Sequence, residues 1–597
     1  MFREDGDGAA QIAALQRTVR QLRRRLEFVE GSKFWQLRAA WVNLRDRMGR
    51  RLPIEAPGEP AIDFVESMAW PEPYTRWLLE NEPRRVELGR LREVAPLLPA
   101  QPSIAVFVND LAGDADAALA AARQQAYPRV RVAALSRVTS GGDDTARWNA
   151  AVAESAEDVV AFCEPGDLLA PHAAFEVALA FNHSPDAIAV YGDCDVIAPD
   201  GSRSGPRFVP DWSPDTFLSS MYTGRVIFYK RAAVIAAGGF RPGFGRANHY
   251  DLALRVFENG AEIVHRPSVL AHRASGDHSA PENGEAARAV EAALERRGES
   301  GHVVPAPANG VHVVRYDLVR PGCDDVVIPT RDLAAYLDRS LCSVFERNAD
   351  ANLRAIVVDN GSLEGETFAT FKRWREREPE RFAVLEADGP FNFSRLINAG
   401  VRAGRAPYVL LLNNDAEFVT DGGVRAMLEQ AQRPSIGAVG ARLLYPDGSV
   451  QHVGVVVGVG GYAGHVYRYK RVADPDVDET VAGVRNYSAV TAAAMMFRRD
   501  VFDEVGGFNE ELAIEFNDLD FCLRLVRAGY RNVSLPHVVL NHEESVSRGT
   551  PRTHAAREQR NRERALFARL WQTERFADPY YNRNLTRSDE TGGVGSA

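Results

Sequence analysis

Leu410-Leu411-Leu412-Asn413-Asn414-Asp415-Ala416-Glu417-Phe418 is an apolar run that ends abruptly in two amides and a carboxylate. A strand of this kind, buried on both faces, delivers its last residues to the open edge of a parallel sheet, where ligands of α/β folds collect. A hard carboxylate there, flanked by amides, suits Mg²⁺ or Mn²⁺ that keeps most of its contacts for a diphosphate. An Asn-rich turn into the next element accounts for the same residues without any ligand. Other segments have to choose between the two.

Outward from this stretch, Ile356–Val358 reads as a second buried strand, ended by the turn Asp359-Asn360-Gly361-Ser362. Asp359 can accept hydrogen bonds from a pyrimidine. Phe391-Asn392-Phe393-Ser394 precedes Leu396, Ile397, Asn398 and Gly400, a helix entrance whose N–H groups suit phosphate oxygens, with Asn398 counted among the nucleotide contacts. Capping alone also explains Ser394. Glu515-Phe516-Asn517-Asp518-Leu519-Asp520 opens another helix with a cluster of acids, read either as capping and dipole complementarity or as the home of a general base.

The body of the chain repeats. Pro199–Ser202 and Pro446–Ser449 are both Pro-Asp-Gly-Ser turns, and Gly238-Gly239-Phe240 answers Gly506-Gly507-Phe508. Tyr250–Arg255 answers Leu519–Arg524, and Val269–His272 answers Val539–His542, so four matches fall in one order. Each half opens with a β-rich run, Ile104–Val108 and Val326–Ile328, followed by alternating helical and extended segments, the pattern of α/β domains. Between the halves, Glu282–Arg297 reads as a helix and Val311–Leu318 as a connecting strand.

With 597 residues the chain needs several cores, and its 45% hydrophobic and 25% charged content is that of a globular protein. A net charge of -10 argues against a general nucleic-acid binder. Five scattered cysteines without CxxC spacing indicate neither a disulfide framework nor a zinc site, which points to a reducing cytoplasm. No membrane span or signal peptide is expected. Ile12, Leu15, Val19, Leu22, Leu26 and Val29 form one helical seam, a short coiled coil that permits a homodimer. Phe34, Leu37, Trp41, Leu44 and Met48 continue as a basic, aromatic helix suited to packing or to peripheral contact with the inner face of the cell membrane.

Taken together, PTRD at Pro329–Asp332, VDNGS at Val358–Ser362, PFNFS at Pro390–Ser394, LLNND at Leu411–Asp415, FNDLDFCLR at Phe516–Arg524 and HEESVSRG at His542–Gly549 resemble the family 2 glycosyltransferases. More narrowly, the chain resembles bacterial two-domain rhamnosyltransferase-like proteins of GT-A fold. The resemblance implies two tandem GT-A-like (Rossmann-like, mainly parallel sheet) α/β domains with an N-terminal coiled-coil and amphipathic segment. With the resemblance covering roughly residues 100–550, the chain divides into residues 1–52 (coiled coil and basic amphipathic helix), 53–100 (linker or helical connection), 101–275 (degenerate domain), 276–320 (connecting helix and strand), 321–550 (catalytic domain) and 551–597 (helix and disordered tail). The resemblance further implies Asp415 as metal ligand for Mg²⁺ or Mn²⁺, Asp518 as catalytic base, His542 as a metal or diphosphate contact, and Thr330, Asp359, Asn413 and Asn414 around the nucleotide. Arg548 reads as a diphosphate clamp on a loop, or as a solvated charge. The implied reaction is inverting transfer of a sugar, such as rhamnose, from a dTDP-, UDP- or GDP-sugar to a polysaccharide or lipid-linked glycan.

Aligned by the repeat, the first half has Gly166 where the second has Asp415, and His249 where it has Asp518. That half reads as a scaffold or acceptor-binding domain, with Glu164, Asp167, Asp193 and Asp195 as remaining candidate ligands. Pro210–Asp215 serves equally as a packing feature or a sugar platform. Two other classes compete: a nucleotide-sugar-binding scaffold for a glycan assembly complex, and a nucleotidyltransferase, which lacks here its Gly-rich triphosphate loop.

Overall fold

The computed structural model describes residues 72–595 apart from residues 114, 138–143, 259, 276–282, 307, 309, 320–323, 472, 475–476, 478 and 544–553. The expected coiled coil and basic helix of residues 1–52, and Arg548, lie outside the described residues.

Each half of the chain is built on one mixed sheet. The first contains β1 (Ile104–Val108), β2 (Val130–Ala134), β3 (Val159–Cys163), β4 (Asp167–Leu169), β5 (Ala189–Ile197), β6 (Arg203–Arg207), β7 (Phe228–Lys230) and β8 (Ile263–Ala274). A hairpin of β9 (Gly301–Pro305) and β10 (His312–Tyr316) follows. The second sheet and its satellites contain β11 (Asp324–Thr330), β12 (Leu353–Asp359), β13 (Phe382–Glu386), β14 (Tyr408–Leu412), β15 (Ala416–Phe418), β16 (Ile436–Leu444), β17 (Val450–His452), β18 (Val455–Val457), β19 (Ala463–His465), β20 (Arg485–Tyr487), β21 (Ala494–Arg498) and β22 (Arg531–His542).

The first sheet runs β2-β1-β3-β7-β5-β8-β4, and the second β13-β12-β11-β14-β21-β16-β22-β15. Without the extra edge strand β13, the two paths match strand for strand. Both insert one antiparallel strand, β7 or β21, among parallel neighbours. The repeat seen in the sequence is therefore a duplicated topology.

Strand period decides the layers. Val326, Ile328, Leu410 and Leu412 point into one core and Val327, Val409 and Leu411 into the other, so helices cover both faces. The helix Phe393–Ala403 lies so close to the sheet that a Cβ on Gly400 would meet Val327 at 2.4 Å and Val358 at 2.8 Å.

The linking hairpin divides its two faces between the halves: Val313 packs in a core of the second, Val314 and Tyr316 in a core of the first. Asp215 completes the junction. Its buried carboxylate receives Arg433 at 2.7 Å, Arg531 at 2.7 Å and the Asn486 amide at 2.8 Å, all from the second half. The Pro210–Asp215 stretch thus holds the halves together. These two guanidinium groups keep the Asp215 carboxyl well below the usual carboxylate range, against the opposing effect of burial.

Residues 588–595 of the Gly/Ser-rich end are packed rather than disordered, contrary to expectation. Leu585 bridges to Val594, and both pack on a small core of Tyr74, Trp77, Phe208 and Val269. Backbone pairing and this apolar contact outweigh the local flexibility that the composition suggests. Among the described residues no helix is long and apolar enough to cross a membrane.

Candidate active site

The parallel strands β11, β12 and β14 end side by side, with Thr330 in register with Asp359. Asn413 follows β14 and donates its backbone N–H to Ala493 at 3.0 Å, the residue before β21. A tight turn, Ala416 N–H to Asn413 O at 3.1 Å, then starts β15. Because Ala416 pairs with His542 across the sheet, Asp415 is delivered beside the imidazole.

The ring of His542 is buried and fixed from behind. Gln451 donates its amide to the His542 carbonyl at 3.2 Å, so its own carbonyl oxygen faces Nδ1 at 2.6 Å. Nδ1 must then carry the proton. The Nε2 lone pair is left facing the Asn413 amide at 3.2 Å and Oδ1 of Asp415 at 3.1 Å. A lone pair and a carboxylate oxygen at that separation make a pair of donor atoms for a cation. Among the described residues no three His, Cys, Asp or Glu side chains converge on a metal position. The protein offers two donors, Asp415 and His542, which fits a cation that takes its remaining ligands from a diphosphate and water.

Asn414 turns the other way and donates to the Thr330 hydroxyl at 2.9 Å, joining the ends of β11 and β14. Asp359 holds its own turn, accepting from the Ser362 N–H at 3.1 Å and hydroxyl at 2.6 Å. Asp332, which the sequence reading passed over, ties the neighbouring loops: it accepts from Leu363 and Glu364 N–H at 2.7 and 2.8 Å. Asp332 and Leu333 both adopt left-handed backbone, φ 55° and 59°. Such strain costs on the order of 1–3 kcal/mol per residue and persists only where surrounding bonds hold it.

Asp518 lies at the start of the helix Asn517–Arg527. Its Oδ2 accepts the Ala492 N–H at 3.1 Å and its Oδ1 the Leu519 N–H at 2.9 Å. Ala492 and Ala493 are consecutive, so one dipeptide carries both the Asp518 contact and the Asn413 contact. Desolvation raises the Asp518 pKa above the ordinary aspartate value, although Ala492, Leu519 and Thr491 hydrogen-bond its charged form.

Residues 325–506 match the family model "Glycosyl transferase family 2". That stretch of the second half is a family 2 glycosyltransferase domain. Relatives of the chain include the uncharacterized protein y4gI of Sinorhizobium fredii, 37% identical over 470 residues, 77% of this chain and 51% of that protein. The O-antigen biosynthesis protein RfbC of Myxococcus xanthus is 34% identical over 470 residues, 77% of this chain and 36% of the relative. An N-acetylglucosaminyl-diphospho-decaprenol L-rhamnosyltransferase of Mycobacterium tuberculosis is 25% identical over 259 residues, covering 39% and 80%. The chain therefore spans about half, or about a third, of the first two relatives. Among solved structures, a mannosyltransferase of Pyrobaculum calidifontis in complex with GDP-Man and Mn²⁺ is similar at TM-score 0.32 and 19% identity, covering 44% of this chain and 68% of that one.

Within this family 2 fold, Asn398 takes no part in the cluster around Asp415. Its amide donates to Phe508 O at 2.9 Å and to Glu510 at 2.9 Å, and its carbonyl oxygen accepts the Phe508 N–H at 2.8 Å. Asn149 makes the same clip to Phe240 in the first half, at 2.9 and 2.7 Å. A contact repeated in both halves is scaffold, and the expected nucleotide contact is replaced by a structural one. Asp520 with Arg524, and Asp251 with Arg255, are a second duplicated pair, at 2.8 Å each.

What fails to repeat is the set of side chains at the candidate site. Arg273 stands opposite Asp167 as His542 stands opposite Ala416, and Ala274 N–H meets Gly166 O at 2.9 Å as Glu543 N–H meets Asp415 O at 3.3 Å. The counterpart of His542 is thus Arg273, one residue beyond the His272 expected from the sequence match. His249 reaches across to Glu164 at 3.0 Å, and Asn109 binds the same carboxylate at 2.9 Å. Arg225 neutralises Asp167 at 2.7 Å. Asp193 is bound by His265 at 3.0 Å and Asn582 at 2.8 Å, and Asp195 by His272 at 2.6 Å. These four candidate ligands are occupied by the protein's own side chains.

Proposed function

We propose that the second half is an inverting, divalent-cation-dependent glycosyltransferase that uses a nucleotide-diphosphate sugar. The observation that carries this reading is the dipeptide Ala492–Ala493, which binds Asp518 on one side and Asn413, two residues before Asp415, on the other. On this reading a proton acceptor and a cation-binding carboxylate are tied through one backbone dipeptide near the carboxyl edge of the parallel strands.

Asp518 takes the proton of the acceptor hydroxyl as its oxygen attacks the anomeric carbon, and the bond from that carbon to the diphosphate breaks. One displacement inverts the anomeric centre. A Mg²⁺ or Mn²⁺ held by Asp415 and His542 would supply charge neutralisation for the departing diphosphate. Thr330 and Asp359 flank the base, with Asn413 and Asn414 fixing the loop between base and diphosphate. The names of the relatives extend the reading to rhamnose transfer onto a lipid-linked glycan in O-antigen or related polysaccharide synthesis. The first half, with its ligand positions filled, serves as a support for the second.

The test is a screen of purified protein against UDP-, GDP- and dTDP-sugars with Mg²⁺ or Mn²⁺, scoring nucleoside diphosphate release. Turnover abolished by Asp518→Asn and by Asp415→Ala supports the proposal. Nucleotide-sugar binding without turnover in the unaltered protein would replace it with the scaffold reading.

A further inference from the structure

The loop that leads into Asp518 is held by a helix from outside the matched family region. Ile514 and Glu515 both donate their backbone N–H to a single oxygen, Oε2 of Glu563, at 3.0 and 2.7 Å. The other carboxylate oxygen takes the Gln559 amide at 3.0 Å. Glu563 lies in the C-terminal helix His554–Trp571 and is only 4% exposed. Arg560 and Arg564 of the same helix pair with Glu515, and Phe567 stacks on Phe516 with centroids 4.7 Å apart and planes 14° from parallel.

Phe516 is the strained point of this loop. Its backbone is left-handed, φ 62° and ψ 8°, directly before the helix whose second residue is Asp518. A bulky residue adopts that conformation only under external constraint. The first half supplies the contrast: Ala247, at the matching position before His249, has an ordinary φ of -87°. The strain occurs in the half that carries the aspartate, and the C-terminal helix packs against it there.

We propose that Glu563 is a positioning residue for Asp518: by fixing the Ile514–Glu515 amides it holds Phe516 in its left-handed turn and sets the direction of the base carboxylate. This rests on the reading of Asp518 as the base. Glu563 touches no substrate and acts through the backbone. A displacement of the base by about 1 Å is enough to cost about 100-fold in rate.

The experiment compares Glu563→Ala, Glu563→Gln and Asp518→Asn in the full chain, using the nucleotide sugar and cation that score in the screen above. Glu563→Ala is expected to lower kcat roughly 10- to 100-fold, with UDP, GDP or dTDP affinity in the presence of Mn²⁺ unchanged and the acid limb of the pH–rate profile displaced. Glu563→Gln, whose amide oxygen can accept the same two N–H groups, should restore most of the rate. Amide hydrogen exchange at residues 514–516 should accelerate in the alanine variant only. Unchanged kcat and pH profile in Glu563→Ala, alongside an inactive Asp518→Asn, overturns the positioning role and leaves the base in place. An active Asp518→Asn overturns the base instead, and hydrogen exchange then reports on the clamp alone. If Glu563→Ala does not fold, Glu563→Asp keeps the charge and draws the carboxylate back from the Ile514 and Glu515 amides; an unaltered kcat and pH profile in that variant counts against the proposal.

Discussion

Nε2 of His542 lies 3.1 Å from Oδ1 of Asp415, while Nδ1 of the same ring is held at 2.6 Å by Gln451. The outer contact fixes which nitrogen is free for a cation. Gln451→Leu should therefore raise the half-saturating Mn²⁺ concentration by about 10- to 100-fold while the fold is retained. A metal titration of nucleoside diphosphate release measures it, and EDTA should abolish turnover reversibly.

Asp518 should set the acid limb of catalysis. Its pKa is raised by desolvation, so the carboxylate becomes available as a base only at a pH above the ordinary aspartate range. The limb of kcat/KM should lie correspondingly high. The same shift means that ionisation costs stability: the contribution is full below the unfolded pKa and is lost as pH rises through the folded one. Asp518→Asn should thus lose about 100-fold or more in turnover and melt at a higher temperature near neutral pH.

Removal of Asp215 should loosen the junction between the halves. Asp215→Ala leaves Arg433 and Arg531 facing one another without their shared anion. A loss of about 3–5 kcal/mol is expected, read by urea denaturation followed through tryptophan fluorescence. Since the folded pKa of Asp215 is depressed, its contribution is present above the unfolded value and should vanish as the solution is acidified.

Asp324 gives the opposite sign. Burial, with Asp325 adjacent, raises its pKa to about 7. Its stability contribution is full below pH 3.8 and is progressively lost up to about pH 7. Asp324→Asn should raise the melting temperature at pH 8 and have no effect near pH 3.5.

In the first half, His249 and Asn109 already satisfy Glu164. Glu164→Gln should leave both nucleoside diphosphate release and its Mn²⁺ dependence unchanged, in contrast to Asp415→Ala.

The sequence by itself determined the duplicated α/β architecture, because buried strands with period-two packing and repeated Gly-Gly-Phe and Pro-Asp-Gly-Ser turns are local signals that survive without knowledge of the fold. It also located the edge of the sheet where Asp415, Thr330 and Asp359 gather, since each ends an apolar run. Only the tertiary structure separated scaffold from chemistry. Asn398 sits in a motif beside the site, yet its amide is used up on Phe508, as that of Asn149 is on Phe240. Nor does spacing along the chain reveal that Gln451 orients His542, 91 residues away, or that Glu563 supports the loop before Asp518 from a helix 48 and 49 residues on. Hydrogen bonds between distant segments depend on register across the sheet and on which helix packs where, and those are fixed by the folded chain as a whole.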